Sequence, residues 1–222
     1  MEFIVAIDGP AGSGKGTITK KISTELGLVS IDTGATYRCV ALNMLQENVG
    51  LDEEAKIKQI LENINIDLKP DGKIFLNGED VTNKIRTPEV SKFVSPVSAL
   101  KIVRDKMVDI QRKMAEGKNA IMEGRDIGTV VFPNANVKIY LDATPEERAN
   151  RRMKQMAEKG IKLDYQQVLQ EIIERDTRDL NRAIAPLKKA DDAIYVDSSN
   201  MTIDEVTNKI IQIIKFATRD VD

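Results

Sequence analysis

Histidine is absent from all 222 residues. That excludes Ser-His-Asp nucleophilic catalysis, phosphohistidine intermediates and most zinc sites, so any chemistry here runs without an imidazole. A single cysteine, Cys39, excludes an internal disulfide framework and fits a reducing compartment, so a cytoplasmic location is expected. Cys39 reads as a small apolar packer on a helix rather than a reactive thiol, because free cysteine is usually buried. Neither sign of charge dominates: 33 Lys and Arg oppose 35 Asp and Glu, a formal net of −2. There is thus no global basic field to gather nucleic acid. No run approaches the ~20 apolar residues of a membrane span. The opening apolar stretch, residues 3–7, is too short for a signal peptide and stops at Asp8. The length suits one α/β domain with insertions.

What is present starts with Gly9-Pro10-Ala11-Gly12-Ser13-Gly14-Lys15-Gly16-Thr17. A buried-type run precedes it, and Ile18, Ile22 and Leu26 recur at helical spacing after it. Strand, glycine-rich turn and helix N-terminus in that order make a P-loop. The turn lets successive backbone N–H groups face inward, and the helix end adds partial positive charge. The result is a nest for a polyphosphate, with the Lys15 ammonium placed for its terminal phosphates. Gly16 stands where the usual motif has Ser or Thr, and the spacing resembles the variant in nucleoside monophosphate kinases rather than that of GTPases or motor ATPases. Thr17 is then the candidate hydroxyl ligand for Mg²⁺, with water as the alternative.

β–α alternation continues down the chain. Residues 28–31, 120–122, 137–141 and 194–196 read as further short strands, which with residues 3–7 predict a central five-stranded parallel sheet. The predicted fold class is α/β, a P-loop NTPase-type three-layer α/β/α architecture. Asp52 is the expected N-cap of a helix over 53–63. Residues 65–69 and 73–77 around Pro70-Asp71-Gly72 predict a hairpin. Thr87-Pro88-Glu89 and Thr144-Pro145-Glu146-Glu147 predict capped helix starts, the second a capping box, and Thr202 with Glu205 caps the last helix. Leu100, Val103, Met107, Ile110 and Met114 form a core stripe rather than a cofactor box. The block over about 35–98 breaks the βα rhythm and reads as an insertion or small second domain.

Two stretches carry further chemistry. Six of the twelve arginines fall between 148 and 182, in a chain where lysine outnumbers arginine. Most charge runs are solvated faces, but a planar fork that cannot lose its proton suits phosphate oxygens, so downstream of a P-loop these arginines read as phosphate clamps. The stretch Glu123 to Pro133, EGRDIGTVVFP, follows an apolar strand whose C-terminal end opens on the P-loop crevice. Glu123 sits where a carboxylate would hold Mg²⁺, directly or through water. Arg125 and Asp126 have the alternative of a surface ion pair.

GPAGSGKGT at 9–17, DTGATYR at 32–38, EGRDIGTVVFP at 123–133 and ERDTRDLNRAIAPL at 174–187 together resemble the bacterial cytidylate kinase family, in order and spacing, over nearly the whole chain. The resemblance implies ATP-dependent phosphorylation of CMP and dCMP, with Mg²⁺, by a monomer whose partners are small nucleotides and neither nucleic acid nor membrane. It implies that Gly9, Pro10, Ala11, Gly12, Ser13, Gly14, Lys15, Gly16 and Thr17 hold the ATP phosphates. Thr33, Tyr37 and Arg38 would grip the monophosphate, and Arg125 and Arg182 would add charge at the reacting phosphate, beside Lys15. Ser95, Arg104 and Asp126 match positions that read cytosine, and Arg175 and Asp179 match positions at the nucleotide's phosphate and sugar. Arg148, Arg151 and Arg152 lie on or beside a mobile lid over about 148–163, with Arg151 and Arg152 closing on ATP. The expected division is a core of 1–34 and 99–222 around an inserted monophosphate-binding domain of 35–98. Thr33 stands where some members have serine and Glu123 where aspartate is common; both keep the functional group.

Cytosine fits a carboxylate on physical grounds as well, because its N4 amino group donates where uracil presents an acceptor. Other readings are a kinase for UMP or shikimate, or a P-loop switch. The switch would need a guanine-reading Asn-Lys-x-Asp, and Asn83-Lys84 and Asn208-Lys209 both lack the aspartate.

Overall fold

The computed structural model describes residues 2–158 and 160–219. Met1, Lys159 and residues 220–222, which the expected core and lid ranges include, lie outside the described residues.

Strand β1 (Ile4–Asp8) is buried along its whole length. Its pleat sends Val5 and Ile7 to one face, onto helices α1 (Lys15–Leu26) and α8 (Ile203–Arg219). Ile4 and Ala6 go to the other, onto α5 (Lys101–Ala115). A strand apolar on both faces belongs at the centre of a covered parallel sheet. It is flanked by β6 (Ala120–Gly124) and β7 (Val137–Asp142), with β2 (Val29–Asp32) and β8 (Ile194–Asp197) at the edges. The order is β2-β6-β1-β7-β8 and every neighbouring pair is parallel, as expected.

Strand β2 runs one residue further than predicted, so Asp32 both ends the strand and caps α2 (Thr33–Gln46), its Oδ1 accepting from Ala35 N at 3.0 Å. The register puts Asp32 beside Glu123 and Asp8 beside Gly124. The acidic ends of three adjacent strands therefore share one lip of the sheet, the C-terminal one, where ligands of open α/β sheets bind.

Between α2 and α5 the chain forms α3 (Glu54–Asn63), the predicted hairpin as β3 (Ile66–Leu68) and β4 (Ile74–Leu76), an added strand β5 (Glu79–Asp80), and α4 (Pro88–Val97). A hydrophobic cluster joins these elements to α2 and α5 through Val40, Met44, Ile57, Ile74, Val94 and Met107. Leu100, Ile110 and Met114 of the predicted stripe pack on its edge. The Asp52 cap is corrected: the N-cap is Glu53, whose Oε2 accepts instead from Gly50 N at 2.8 Å. Cys39 is fully buried, and burial pushes its thiol up to about 12.

Helices α6 (Pro145–Glu158) and α7 (Tyr165–Leu180) pack on each other through Ala149, Val168 and Ile172. Thr144 Oγ1 accepts from Glu147 N at 3.3 Å, but Thr144 N donates to Ser199 rather than to Glu147, so this capping box is half formed. The Thr202–Glu205 box closes in both directions. Among the described residues no helix is long and apolar enough to cross a membrane.

Candidate active site

The loop between β1 and α1 is held by its glycines and by one lysine. Gly9 has φ +152°, and a Cβ there would meet Leu141 O at 2.0 Å, so no other residue fits. Gly14, at φ +93°, is the left-handed N-cap that turns the chain into α1. Lys15 is buried; its Nζ donates to Gly9 O at 2.8 Å, Pro10 O at 2.6 Å and Ser13 Oγ at 3.3 Å. Burial and, next, the Arg125 charge hold this ammonium well below the usual lysine range, with Glu123 and Asp8 opposing. At Gly16 a Cβ would lie 3.0 Å from Glu123 Oε1. The missing side chain is what lets that carboxylate lie against the helix N-terminus. Burial and the neighbouring Asp32 raise the Glu123 carboxyl, against Lys15 and Arg125. Thr17, in the same first turn, is exposed.

Asp8, the last residue of β1, is a structural centre. It accepts from Ile127 N and Gly128 N, both at 2.7 Å, across 119 and 120 residues. These bonds hold a π-helical turn at Ile127–Val131, a form of helix that favours functional sites. Burial pushes the Asp8 carboxyl up to about 6 in spite of the two amides.

Asp126 opens that turn. It is buried and paired with the equally buried Arg104. Burial raises its carboxyl, against Arg104. Arg104 Nη1 donates to Ser98 O at 3.1 Å, and Ser98 Oγ donates to Ser95 O at 2.9 Å, so Ser95 is linked to the Arg104–Asp126 pair through Ser98. Tyr37 joins this group rather than Arg38: the Arg104 guanidinium lies 5.3 Å from its ring centroid. Thr33 Oγ1 donates to Glu123 O at 2.6 Å, tying α2 to β6.

Arg125, Arg175 and Arg182 gather round Asp179, which is 1% exposed. It accepts from Arg125 Nε at 3.0 Å and Arg182 Nη2 at 2.5 Å. Burial pushes this carboxyl up, and Arg125, Arg182 and Arg175 overcome it and hold it below its usual range. The cations fare worse. Burial and then Arg125 push Arg175 down to about 9, and its Nε is buried without an acceptor. Arg38 and Arg182 are likewise lowered, by burial first and by neighbouring guanidiniums as well. Arg38, Arg175 and Arg182 are thus cations held in a desolvated space beside one another and Arg125.

The other arginines divide. Arg148 is buried and saturated, donating to Ala143 O, Ala11 O and Asp176, and so bolts the base of α6 to the P-loop. Arg151 donates to Ser198 O at 2.6 Å and approaches Ser13 O at 3.4 Å, beside the loop. Arg152 is exposed and faces the other way, close enough to Arg38 to depress it. Arg178 is exposed, a solvated-face residue. Asp8, Asp32, Asp176 and Gln111 were not anticipated. Asp8 and Asp32 had a signal, since an acidic residue closing a parallel strand faces the ligand lip; Asp176 and Gln111 had none.

A profile of the cytidylate kinase family matches residues 5–216. The chain belongs to the cytidylate kinase family. Cytidylate kinase from Caldicellulosiruptor saccharolyticus is 50% identical over 212 residues, covering 94% of each chain. Cytidylate kinase from Fusobacterium nucleatum is 50% identical over 208 residues, covering 94% of this chain and 95% of the relative. Among solved structures, a gluconokinase from Sinorhizobium meliloti superimposes with a TM-score of 0.51 at 10% identity, over 99% of this chain and 95% of that one. That likeness is one of fold alone. As a cytidylate kinase family member the chain is a nucleoside monophosphate kinase, and ATP is the phosphoryl donor of the family.

Proposed function

We propose that the protein transfers the γ-phosphoryl group of ATP to the phosphate of CMP or dCMP, releasing ADP and CDP or dCDP. The arginine crowd carries this reading. Arg38, Arg175 and Arg182, each lowered by burial and by neighbouring guanidiniums, are stabilised by an arriving dianion. A nucleoside monophosphate is largely dianionic near pH 7, its second pKa being about 6. Its oxygen is already nucleophilic, which suits a site without histidine. An acceptor oxygen forms a bond to Pγ as the bond from Pγ to the β-phosphate oxygen breaks, and the electron pair leaves with ADP.

The chain's own groups position the two anions in line and neutralise charge as it moves. Lys15 exchanges its loop carbonyls for the β- and γ-phosphate oxygens; Arg125 and Arg182 take the reacting phosphates. Thr33 and Arg38 hold the acceptor phosphate, and Arg175 and Asp179 its phosphate and sugar. Asp126 accepts from cytosine N4, with Arg104 and Ser95 completing the base contacts. Glu123 and Thr17 would hold Mg²⁺, and the donor set fits. A carboxylate and a hydroxyl are oxygen ligands of the kind Mg²⁺ takes, with phosphates and water completing its shell. Its contribution is to neutralise the triphosphate.

Residues 35–98 serve as the acceptor-binding unit and 1–34 with 99–222 as the core. Residues 148–163 act as a lid over ATP that pivots beyond the anchored Arg148 and excludes water. One chain supplies both ends of the site, which supports a monomer, working in the cytoplasm, where ATP and a reduced cysteine coexist. An ADP-release assay with ATP, Mg²⁺ and, in parallel, CMP, dCMP, UMP, AMP and shikimate tests the reading. CMP and dCMP are expected to be the preferred acceptors. Turnover of another acceptor with CMP untouched overturns the proposal.

A further inference from the structure

Among the described residues, two buried polar atoms near the base-reading pair have no hydrogen-bond partner: the Tyr37 hydroxyl and Gln111 Oε1. Gln111 is fully buried and lies seven residues after Arg104 on α5, hence on the same face of that helix. Its orientation follows from its neighbours. Thr36 gives its hydroxyl proton to Thr33 O at 2.8 Å, so toward Gln111 it can only accept, from Nε2 at 2.9 Å. The amide oxygen is thereby turned away from Thr36, and among the described residues it accepts no hydrogen bond. Gln111 also lies near enough to the Tyr37 hydroxyl to oppose, in part, the upward push of burial on it.

An unsatisfied buried acceptor lowers stability, and an apolar side chain of similar length would not. The glutamine therefore stands at a position where packing alone would favour methionine or leucine. What it does provide is registry. Helix α2 carries Thr33, Tyr37 and Arg38, and α5 carries Arg104. Apolar contacts between two helices tolerate sliding and rotation, whereas a hydrogen bond has a narrow geometry. The bond from Gln111 to Thr36 continues through Thr33 O, and Thr33 Oγ1 donates on to Glu123 O at 2.6 Å, so one chain of contacts crosses from α5 through α2 to β6.

We propose that Gln111 is a positioning residue that fixes the distance between the two ends of the acceptor pocket, the base-reading Arg104–Asp126 pair and the phosphate-binding Thr33 and Arg38. A pyrimidine monophosphate spans those ends only while α2 and α5 keep their register. The spacer thus contributes to the choice of base without touching it. This inference rests on CMP being the acceptor.

Wild type, Gln111→Met and the double variant Thr36→Val/Gln111→Met are compared for kcat and for KM with CMP, UMP and ATP, alongside thermal unfolding. The double variant removes both partners, a change close to neutral for stability. In both variants KM for CMP is expected to rise about tenfold and the preference for CMP over UMP to fall by a similar factor, on the scale of a sub-ångström misplacement. KM for ATP should stay within about twofold and Tm should hold or rise, since no donor-side group moves. A folded double variant with KM for CMP and base preference within twofold of wild type overturns the inference. So does a loss shared equally between ATP and CMP, which is the mark of general loosening. If wild type itself leaves CMP untouched, the functional reading fails. If wild type works and the variants match it, only the role of Gln111 fails.

Discussion

Replacing Gly16 by alanine separates stability from catalysis at one atom. Gly16 is the second residue of α1, and its backbone is not in the left-handed region, so a methyl group brings no backbone strain. Gly→Ala within a helix contributes up to ~1 kcal/mol, less in the first turn. In a chain of this size each kcal/mol corresponds to about 2–4 °C in Tm. Against that, the new Cβ would lie 3.0 Å from Glu123 Oε1 and 3.6 Å from Oε2. The contact is too close by a few tenths of an ångström, but the neighbour is the flexible end of a half-buried side chain. The carboxylate can withdraw at less cost than the helix gains, so Tm is expected to stay or to rise by a degree or two.

Withdrawal moves the carboxylate assigned to Mg²⁺. A displacement of this size in a positioned group lowers kcat by about 10- to 100-fold. The Mg²⁺ concentration for half-maximal rate should rise with it, while KM for CMP stays near wild type. Thermal melts and initial rates across a Mg²⁺ titration give all of these quantities. A kcat and Mg²⁺ dependence within twofold of wild type would refute the reasoning, because the space at Gly16 would then be irrelevant to turnover.

Lys15→Ala should reduce kcat by at least about a hundredfold, the scale of losing a preorganised charge at a developing anion; near-normal turnover in an ADP-release assay would remove Lys15 from the mechanism. Asp126→Asn replaces one acceptor oxygen by a donor, and the CMP to UMP ratio of kcat/KM should fall by at least about tenfold; an unchanged ratio would contradict the N4 contact. Arg151→Ala should raise KM for ATP more than for CMP, and Arg152→Ala, which faces Arg38, the reverse; parallel losses in both variants would dissolve the distinction. Asp8 titrates near 6 in the folded protein against 3.8 unfolded, so the folded state holds the extra proton in between. Its stabilising contribution is full below about pH 3.8 and is lost as pH rises through about 6, an effect on the order of 3 kcal/mol. Asp8→Asn cannot titrate, so wild-type stability minus variant stability, from denaturant melts at each pH, should fall from pH 4 to pH 7; a flat or rising difference would contradict the burial of Asp8.

The parts of the fold legible in the sequence are those set by local chemistry. The apolar runs at β1, β6 and β7 are buried on both faces and need no partner to be read. Pro70-Asp71-Gly72 makes its hairpin from turn preferences alone. Glycines and Lys15 mark the P-loop because phosphate binding constrains consecutive residues. The π-helical turn at Ile127–Val131 was not legible, since two of its amides are held by Asp8 from the far end of the chain. The arginine run was legible as composition but not as geometry. Arg148, Arg151, Arg152, Arg175, Arg178 and Arg182 share a residue type and differ in surroundings: Asp176 for Arg148 and Ser198 for Arg151 are tertiary partners, Asp179 for Arg182 a local one, and Arg178 is exposed. The resemblance puts Tyr37 with Thr33 and Arg38 at the monophosphate, and the ring also lies against the Arg104 guanidinium. Successive helical residues point about 100° apart, so Tyr37 turns to Arg104 while Arg38 donates to Ile85 O and Ser91 Oγ.

Charge in this site is arranged in two opposed groups, each held in an unfavourable ionisation environment. At the lip of the sheet Asp8, Glu123 and Asp126 are carboxyls raised chiefly by burial. Across from them Arg38, Arg175 and Arg182 are guanidiniums lowered chiefly by burial. Simple contact between the groups would neutralise both, and at Arg104–Asp126 it does. Elsewhere the fold keeps them apart: Asp8 is tied down by two amides and Glu123 rests against Gly16. The separation leaves room for a second pairing in which phosphates satisfy the arginines and a divalent cation satisfies the carboxylate. Neither nucleotide alone completes that pairing, because a triphosphate in the loop leaves Arg175 without its anion and a monophosphate leaves Lys15 on its own carbonyls. Synergy between the substrates then follows from electrostatics before any lid moves, and the affinity for CMP should be higher when a non-hydrolysable ATP analogue with Mg²⁺ is already bound. Equal CMP affinity by calorimetry with and without the analogue would show that the two groups of charge act independently.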